Sequence, residues 1–257
     1  MLTWQKLLMQ EVAAASALVG QVVLLTGTTS WTVPAGVTSI CVVAVQGGSK
    51  PLTAPGPVTV TVNSTIVCRA QNADRIGDGG GDGGLGGTGS TDLETYNSYA
   101  GGGGAGGYSG NGGKGGDGTP SSVVPPSGAG SGGGGSGGAC TYWYGGVAGA
   151  GGGVGLLGEG SNGAAAGGGS NWSQAGNPGS GGTAATYGGG AGGSNSDYPN
   201  VNGGRGGALA YKNNIAVTPG QTVTLSIPAT MTGAGPAAVR IIWGTGRAFP
   251  STNTGDM

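Results

Sequence analysis

The chain has 257 residues, a net charge of −1, 7% charged residues and no histidine. A near-neutral chain without a basic patch carries no electrostatic footprint for nucleic acid, and the missing histidine removes the commonest general base and metal ligand. Glycine counts 67 and proline 13, which alone reads as low complexity, yet apolar residues reach 36% and the charge-rich signature of disorder is missing.

Residues 1–20 read MLTWQKLLMQEVAAASALVG. A signal peptide is the competing reading, but Gln10 and Glu11 interrupt its apolar run. Trp4, Leu7, Leu8, Val12, Ala15 and Val19 follow helical spacing instead. The segment is expected to be a short amphipathic N-terminal α-helix that docks on something, with Trp4, Leu7 and Leu8 as its attachment residues. The chain has no run of about 18 apolar residues, so no membrane insertion is expected.

Residues 21–78 read as an N-terminal β region. SWTVPAGVTSICVVAVQ holds a strand, a Pro-Ala-Gly turn and a valine-rich strand, and PVTVTVNSTIVCRA alternates. Residues 209–257 form a C-terminal β region and tail, with two strands around a Pro-Gly turn in NIAVTPGQTVTLSIP and a third in AAVRIIWG. Cys41, Cys68 and Cys140 are odd in number and widely spaced, neither a disulfide framework nor a zinc pattern. They are expected to be reduced thiols of a protein assembled in a cytoplasm.

Residues 79–208 are dominated by glycine, and the triplet G-G-x recurs in blocks. In GGAGGYSGNGGKGGDG, residues 103–118, the positions Ala105, Tyr108, Asn111, Lys114 and Asp117 fall three apart without a slip. A period of three matches neither α-helix nor strand. It matches the left-handed extended helix of the polyproline II type, which makes no internal hydrogen bonds. Its backbone groups must then find partners elsewhere, and bare glycine lets neighbouring helices approach. The expected fold class is therefore mostly irregular and β: a bundle of polyglycine II helices flanked by N- and C-terminal β regions. Collagen would need proline in these blocks, and a flexible linker would not need the register.

Treating each block as one antiparallel helix sorts the loops to two ends. Tyr96, Tyr99, Tyr142, Trp143, Tyr144, Trp172 and Tyr198 fall in loops at the end away from the β regions. GTPSSVVPPSG falls at the near end with the termini. Flat rings among Asn, Ser and Gly suit adaptable binding loops. Alternatively, they cap the helix ends and hide the apolar mouths of the bundle.

No catalytic constellation emerges. The P-loop pattern fails at Lys114, where Tyr108 takes the first glycine position and Gly115 follows the lysine. Asp92 and Glu94 are expected to be a solvated loop rather than a glycosidase pair. Asp74, Asp78 and Asp82 lack the calcium-loop spacing and are expected to make a polar junction between β region and shaft. No cofactor and no enzymatic activity are expected.

GPAAVRIIWGTGRAFPSTNT at residues 235–254, SWTVPAGVTSICVVAVQGG at 30–48 and NNIAVTPGQTVTLSI resemble segments of glycine-rich bacteriophage tail proteins. The triplet shaft is similar to that of the distal-tip adhesins on the long tail fibres of T-even-like phages. This resemblance implies a polyglycine II bundle whose distal loops recognise a bacterial surface receptor, an outer-membrane protein or a glycan. It implies mounting on a tail-fibre or baseplate protein through the opposite end, and a place in the virion. The other readings are a purely structural tail component, an ice-binding protein and a depolymerase.

Overall fold

A computed structural model describes residues 19–91, 97–118, 126–139, 148–164, 187–192, 202–251 and 254. The expected N-terminal helix lies outside them, and none of the described residues is in an α-helix. Ten strands form. β1 (Gly20–Leu25), β2 (Ser30–Thr32), β3 (Ser39–Val45), β4 (Val58–Val62) and β5 (Thr65–Ala70) precede the glycine-rich region. β6 (Ser90–Thr91) and β7 (Asn97–Ser98) pair within it. β8 (Leu209–Ala216), β9 (Thr222–Ser226) and β10 (Ala238–Trp243) follow.

The β regions from the two ends of the chain interleave. One antiparallel sheet has the order β1-β10-β3-β8 and the other β2-β9-β4-β5. The two sheets enclose one core, with Val42, Ala44, Val239 and Ile241 of the first meeting Val58, Val60, Val223 and Leu225 of the second. The opposite face of the first sheet is covered too. Cys41, Val43, Val45, Leu209 and Ile242 pack against Ala105, Tyr108, Val154 and Phe249. Burial on both faces explains why β3 reads SICVVAV, an unbroken apolar run rather than an alternation.

The glycine-rich residues form a third layer joined by backbone hydrogen bonds. Residues 101–107 are its axis, and their amides change partner in a cycle of three. Gly101, Gly104 and Gly107 donate to Gly116, Gly113 and Gly110; Gly102 and Ala105 donate to Gly149 and Gly152; Gly103 and Gly106 donate to Gly204 and Gly207. The axis also accepts from Gly84 and Gly87, from Gly135 and Gly138, and from Gly190. Its six neighbours, residues 82–88, 110–118, 134–139, 148–154, 188–192 and 202–208, bond to one another around a closed ring. A Cβ on Gly103 or Gly104 would overlap the carbonyl oxygen of Gly84 or Gly135. Only a hydrogen fits there, so each glycine Cα–H faces a carbonyl as well.

One sequence expectation is corrected here. Residues 103–117 are not a single run, because the chain reverses at 108–110, where the Gly107 amide donates to Gly110 O at 2.8 Å. The Tyr108 side chain plunges into the apolar contact with the first sheet and is 1% exposed. Its hydroxyl donates to Gly155 O and accepts from the Gly158 amide. The turn consumes one full period, so the three-residue spacing passes through it unbroken.

Candidate functional site

Hydrogen-bond register locates the two ends of the glycine body. At one end the 108–110 turn, Val154, Gly188 and Leu209 meet the first sheet or its flanking chain. At the other lies a level defined by Gly87 N–H to Gly101 O, Gly101 N–H to Gly116 O, Gly149 N–H to Ala139 O and Gly203 N–H to Gly87 O. Gly192 lies against Ala148 at the same level. The chain leaves this level after residues 91, 118, 139 and 192 and is next described at 97, 126, 148 and 202.

Of the predicted site residues, Tyr96, Tyr142, Trp143, Tyr144 and Tyr198 belong to these crossings and lie outside the described residues, as do Trp172 and the attachment residues Trp4, Leu7 and Leu8. Tyr99 is described. It is 2% exposed and packs with Ala148, so its ring stands under the rim of the body rather than on it. The stretch GTPSSVVPPSG was expected beside the β sheets. Its flanking Gly118 donates to Thr88 O, and Gly128 donates to Lys114 O, which puts both on the far side. The reversal at Tyr108 is the reason: it adds one outward segment that the glycine spacing does not reveal.

Side chains close the surface of this body where backbone bonds run out. Asn111 Oδ1 accepts from the Asp82 amide at 2.9 Å, and Asp117 Oδ1 accepts from the Thr88 amide at 2.7 Å. Asn202 Oδ1 accepts from the Gly89 amide, and Asn72 bridges Gly83 N and Gly206 O. The Lys114 side chain donates to Asp117 at 2.7 Å, and that bond, with the Thr88 amide, holds the Asp117 carboxyl below its ordinary value.

The acidic residues at the junction are matched with cations. Asp74 pairs with Arg69 at 2.5 Å, Asp78 with Lys212 at 2.5 Å, and Asp82 with Arg75. The bond from Lys212 and the Asn213 amide lower the Asp78 carboxyl. Burial pushes Asp82 up, but the Ala73 amide and the Arg75 and Arg205 charges outweigh it. Among the described residues, no group of His, Cys, Asp or Glu is arranged to hold a metal ion, and no helix is long and apolar enough to cross a membrane. Cys41 and Cys68 are buried and free, and burial raises both thiols, Cys68 to about 12. At Cys68 burial outweighs the nearby Lys212 charge, the reverse of the balance at a reactive thiol.

Sequence reasoning missed Arg240, which is fully buried. It donates to Gln21 Oε1 of β1, to Leu156 O of the glycine region at 2.9 Å, and to Thr254 O near the end of the chain. A lone arginine in a strand reading AVRIIW could have signalled this, since an unmatched charge in an apolar run demands acceptors.

A scan against family models and searches of curated proteins and solved structures found no match to this chain.

Proposed function

We propose that the glycine body is a bundle of polyglycine II helices and that the protein is a phage tail-fibre adhesin. The cycle of three in the partners of residues 101–107 supports the helix type, because a helix with three residues per turn aims its successive amides at three neighbours. Three-bond couplings reporting φ near about −75° at residues 103–106 check this in solution. Values in the strand range argue against it.

The observation that carries the adhesion reading is that the chain leaves one level of the hydrogen-bonded glycine body four times, on the side away from the two sheets. Loops held by a fixed scaffold bind without ordering that scaffold again. Tyr142, Trp143 and Tyr144, with Tyr96 and Tyr198, supply the flat rings and a receptor of bacterial outer-membrane protein or surface glycan takes them. Trp172 is placed in this set by its sequence context. The N-terminal segment, through Trp4, Leu7 and Leu8, mounts the protein on a fibre or baseplate partner in the virion. The reading is non-enzymatic.

The test replaces Tyr142, Trp143 and Tyr144 together with alanine in the phage. Lost adsorption with unchanged melting of the purified protein supports the adhesin. Full adsorption marks a structural tail component instead.

A further inference from the structure

Among the described residues, Leu52 is the most exposed large apolar side chain, at 89%. Its backbone has a φ of +59°, where Cβ crowds the following carbonyl oxygen. After Pro51, this is the turn position that favours glycine or asparagine. The other non-glycine residues with positive φ among those described are Asn63, Ser64, Ala73 and Asn214, all small or polar. Leucine is thus unfavourable twice over here, in backbone strain and in apolar surface left in water. No buried contact within the fold offsets either effect.

The turn holds that side chain out firmly. Residues 50–57 read KPLTAPGP, with prolines at 51, 55 and 57, and Pro51 is buried. Lys50 and Thr53 close the turn, the Thr53 amide donating to Lys50 O at 3.3 Å. The arm leading in is tied by Ser49, whose amide donates to Arg205 O at 2.8 Å and whose Oγ accepts from the Arg205 amide at 2.6 Å. The arm leading out is tied by Gln46, whose Nε2 donates to Pro55 O at 3.0 Å. A contact made by such a turn has little left to order on binding.

Register puts the turn at the far level of the glycine body. Gln46 and Ser49 donate to Ala208 and Arg205, so residues 46–49 run antiparallel to residues 202–208 and away from the sheets. A Cβ on Gly204 would strike Ser49 O. Lys50 therefore draws level with Gly203, whose amide bond to Gly87 O helps define the far level. We propose that Leu52 is a rigid anchor that enters an apolar pocket on a partner protein bound at this end of the body. A glycan presents hydroxyls, with which an aliphatic side chain makes no hydrogen bond; a nonpolar protein pocket is its complement. The contact surface then includes a turn of the N-terminal β region and is not confined to the aromatic crossings. This inference rests on the adhesion reading and narrows the receptor to a protein.

The test compares adsorption to host cells of phage carrying Leu52→Asn, Leu52→Met, or alanine at Tyr142, Trp143 and Tyr144 together. Asparagine suits the left-handed turn. Leu52→Asn is expected to melt no lower than the parent protein while adsorbing at least about tenfold more slowly. Leu52→Met keeps the apolar chain and is expected to stay within about threefold of the parent. Shaving the cells with protease should remove the difference between parent and Leu52→Asn, and periodate oxidation of surface glycans should leave it. Unchanged adsorption of Leu52→Asn overturns the proposal. The adhesion reading survives that result where the triple variant loses adsorption, and falls with it where neither variant does. A lower melting temperature for Leu52→Asn also overturns the proposal, because leucine then serves the fold. So does a difference that periodate removes and protease leaves, because a glycan then occupies the turn.

Discussion

The Cα of Gly104 faces the carbonyl oxygen of Gly135 so closely that a Cβ could not stand between them. The same glycine donates its amide to Gly113 at 2.8 Å. One residue of the axis thus touches two neighbours, and both contacts are backbone. The energetics follow: the neighbours have no flexible side chain to move aside.

Gly104→Ala is therefore expected to destabilise the protein by about 3 kcal/mol, at the upper end of the cost of overpacking. Gly27 is the comparison, because it has a φ of +89° and open space where a Cβ would go. Gly27→Ala should cost only about 1 kcal/mol, the penalty of left-handed backbone. Denaturant melts of the two variants separate crowding from conformational strain. Equal losses would argue that the glycines serve turns and not contact.

Arg240 links three distant parts of the chain, and its loss should be felt across all of them. Arg240→Met fits the volume but leaves the Gln21, Leu156 and Thr254 oxygens without their donor. The expected cost is on the order of 3 kcal/mol, from buried acceptors stripped of a charged partner. Arg240→Lys should recover only part of it, because one ammonium cannot reproduce the fork. Both are read by chemical denaturation.

Stability should fall at both extremes of pH. Asp78, Asp82 and Asp117 have folded carboxyls held below their ordinary value of 3.8. Their contribution is complete above that value and is lost as the pH falls through the lower folded values. On the alkaline side the Cys68 thiol is raised from 9.0 to about 12. The unfolded chain ionises first, so stability is complete below 9.0 and is lost as the pH rises toward 12. Asp78→Asn should flatten the acid limb, and Cys68→Ala the alkaline limb, in melts recorded across pH.

Tyr99 separates the rim from the loops above it. Tyr99→Ala removes a buried ring and should cost roughly 3–5 kcal/mol. Any loss of adsorption should then track the fraction of folded protein. If Tyr99→Ala abolished adsorption with an unchanged melting curve, this tyrosine would belong to the contact surface after all.

The strands were legible because their signals are local. SWT and SICVVAV on either side of Pro-Ala-Gly, and TVTLS after Pro-Gly, are β-branched runs bounded by turn residues. The aspartates of the junction were read as structural for a local reason too, and each has its cation. The reversal at Tyr108 was not legible, since a turn one period long leaves the triplet spacing intact. That hidden turn moved Gly118 and Gly128, the two ends of the stretch GTPSSVVPPSG, to the side opposite the one expected. Tyr99 resembles its loop neighbours in sequence, and only its packing with Ala148 sets it apart.

By itself the sequence determined that this chain would build strands at both ends and dense, side-chain-free backbone between them, because β-branching and the absence of a Cβ act residue by residue. Tertiary structure alone decided that the two β regions share their sheets, that residues 101–107 become the axis, and where each crossing emerges. The reason is that glycine amides are chemically alike. Which carbonyl each one meets is chosen by how segments stack on the first sheet, and no local pattern encodes that choice.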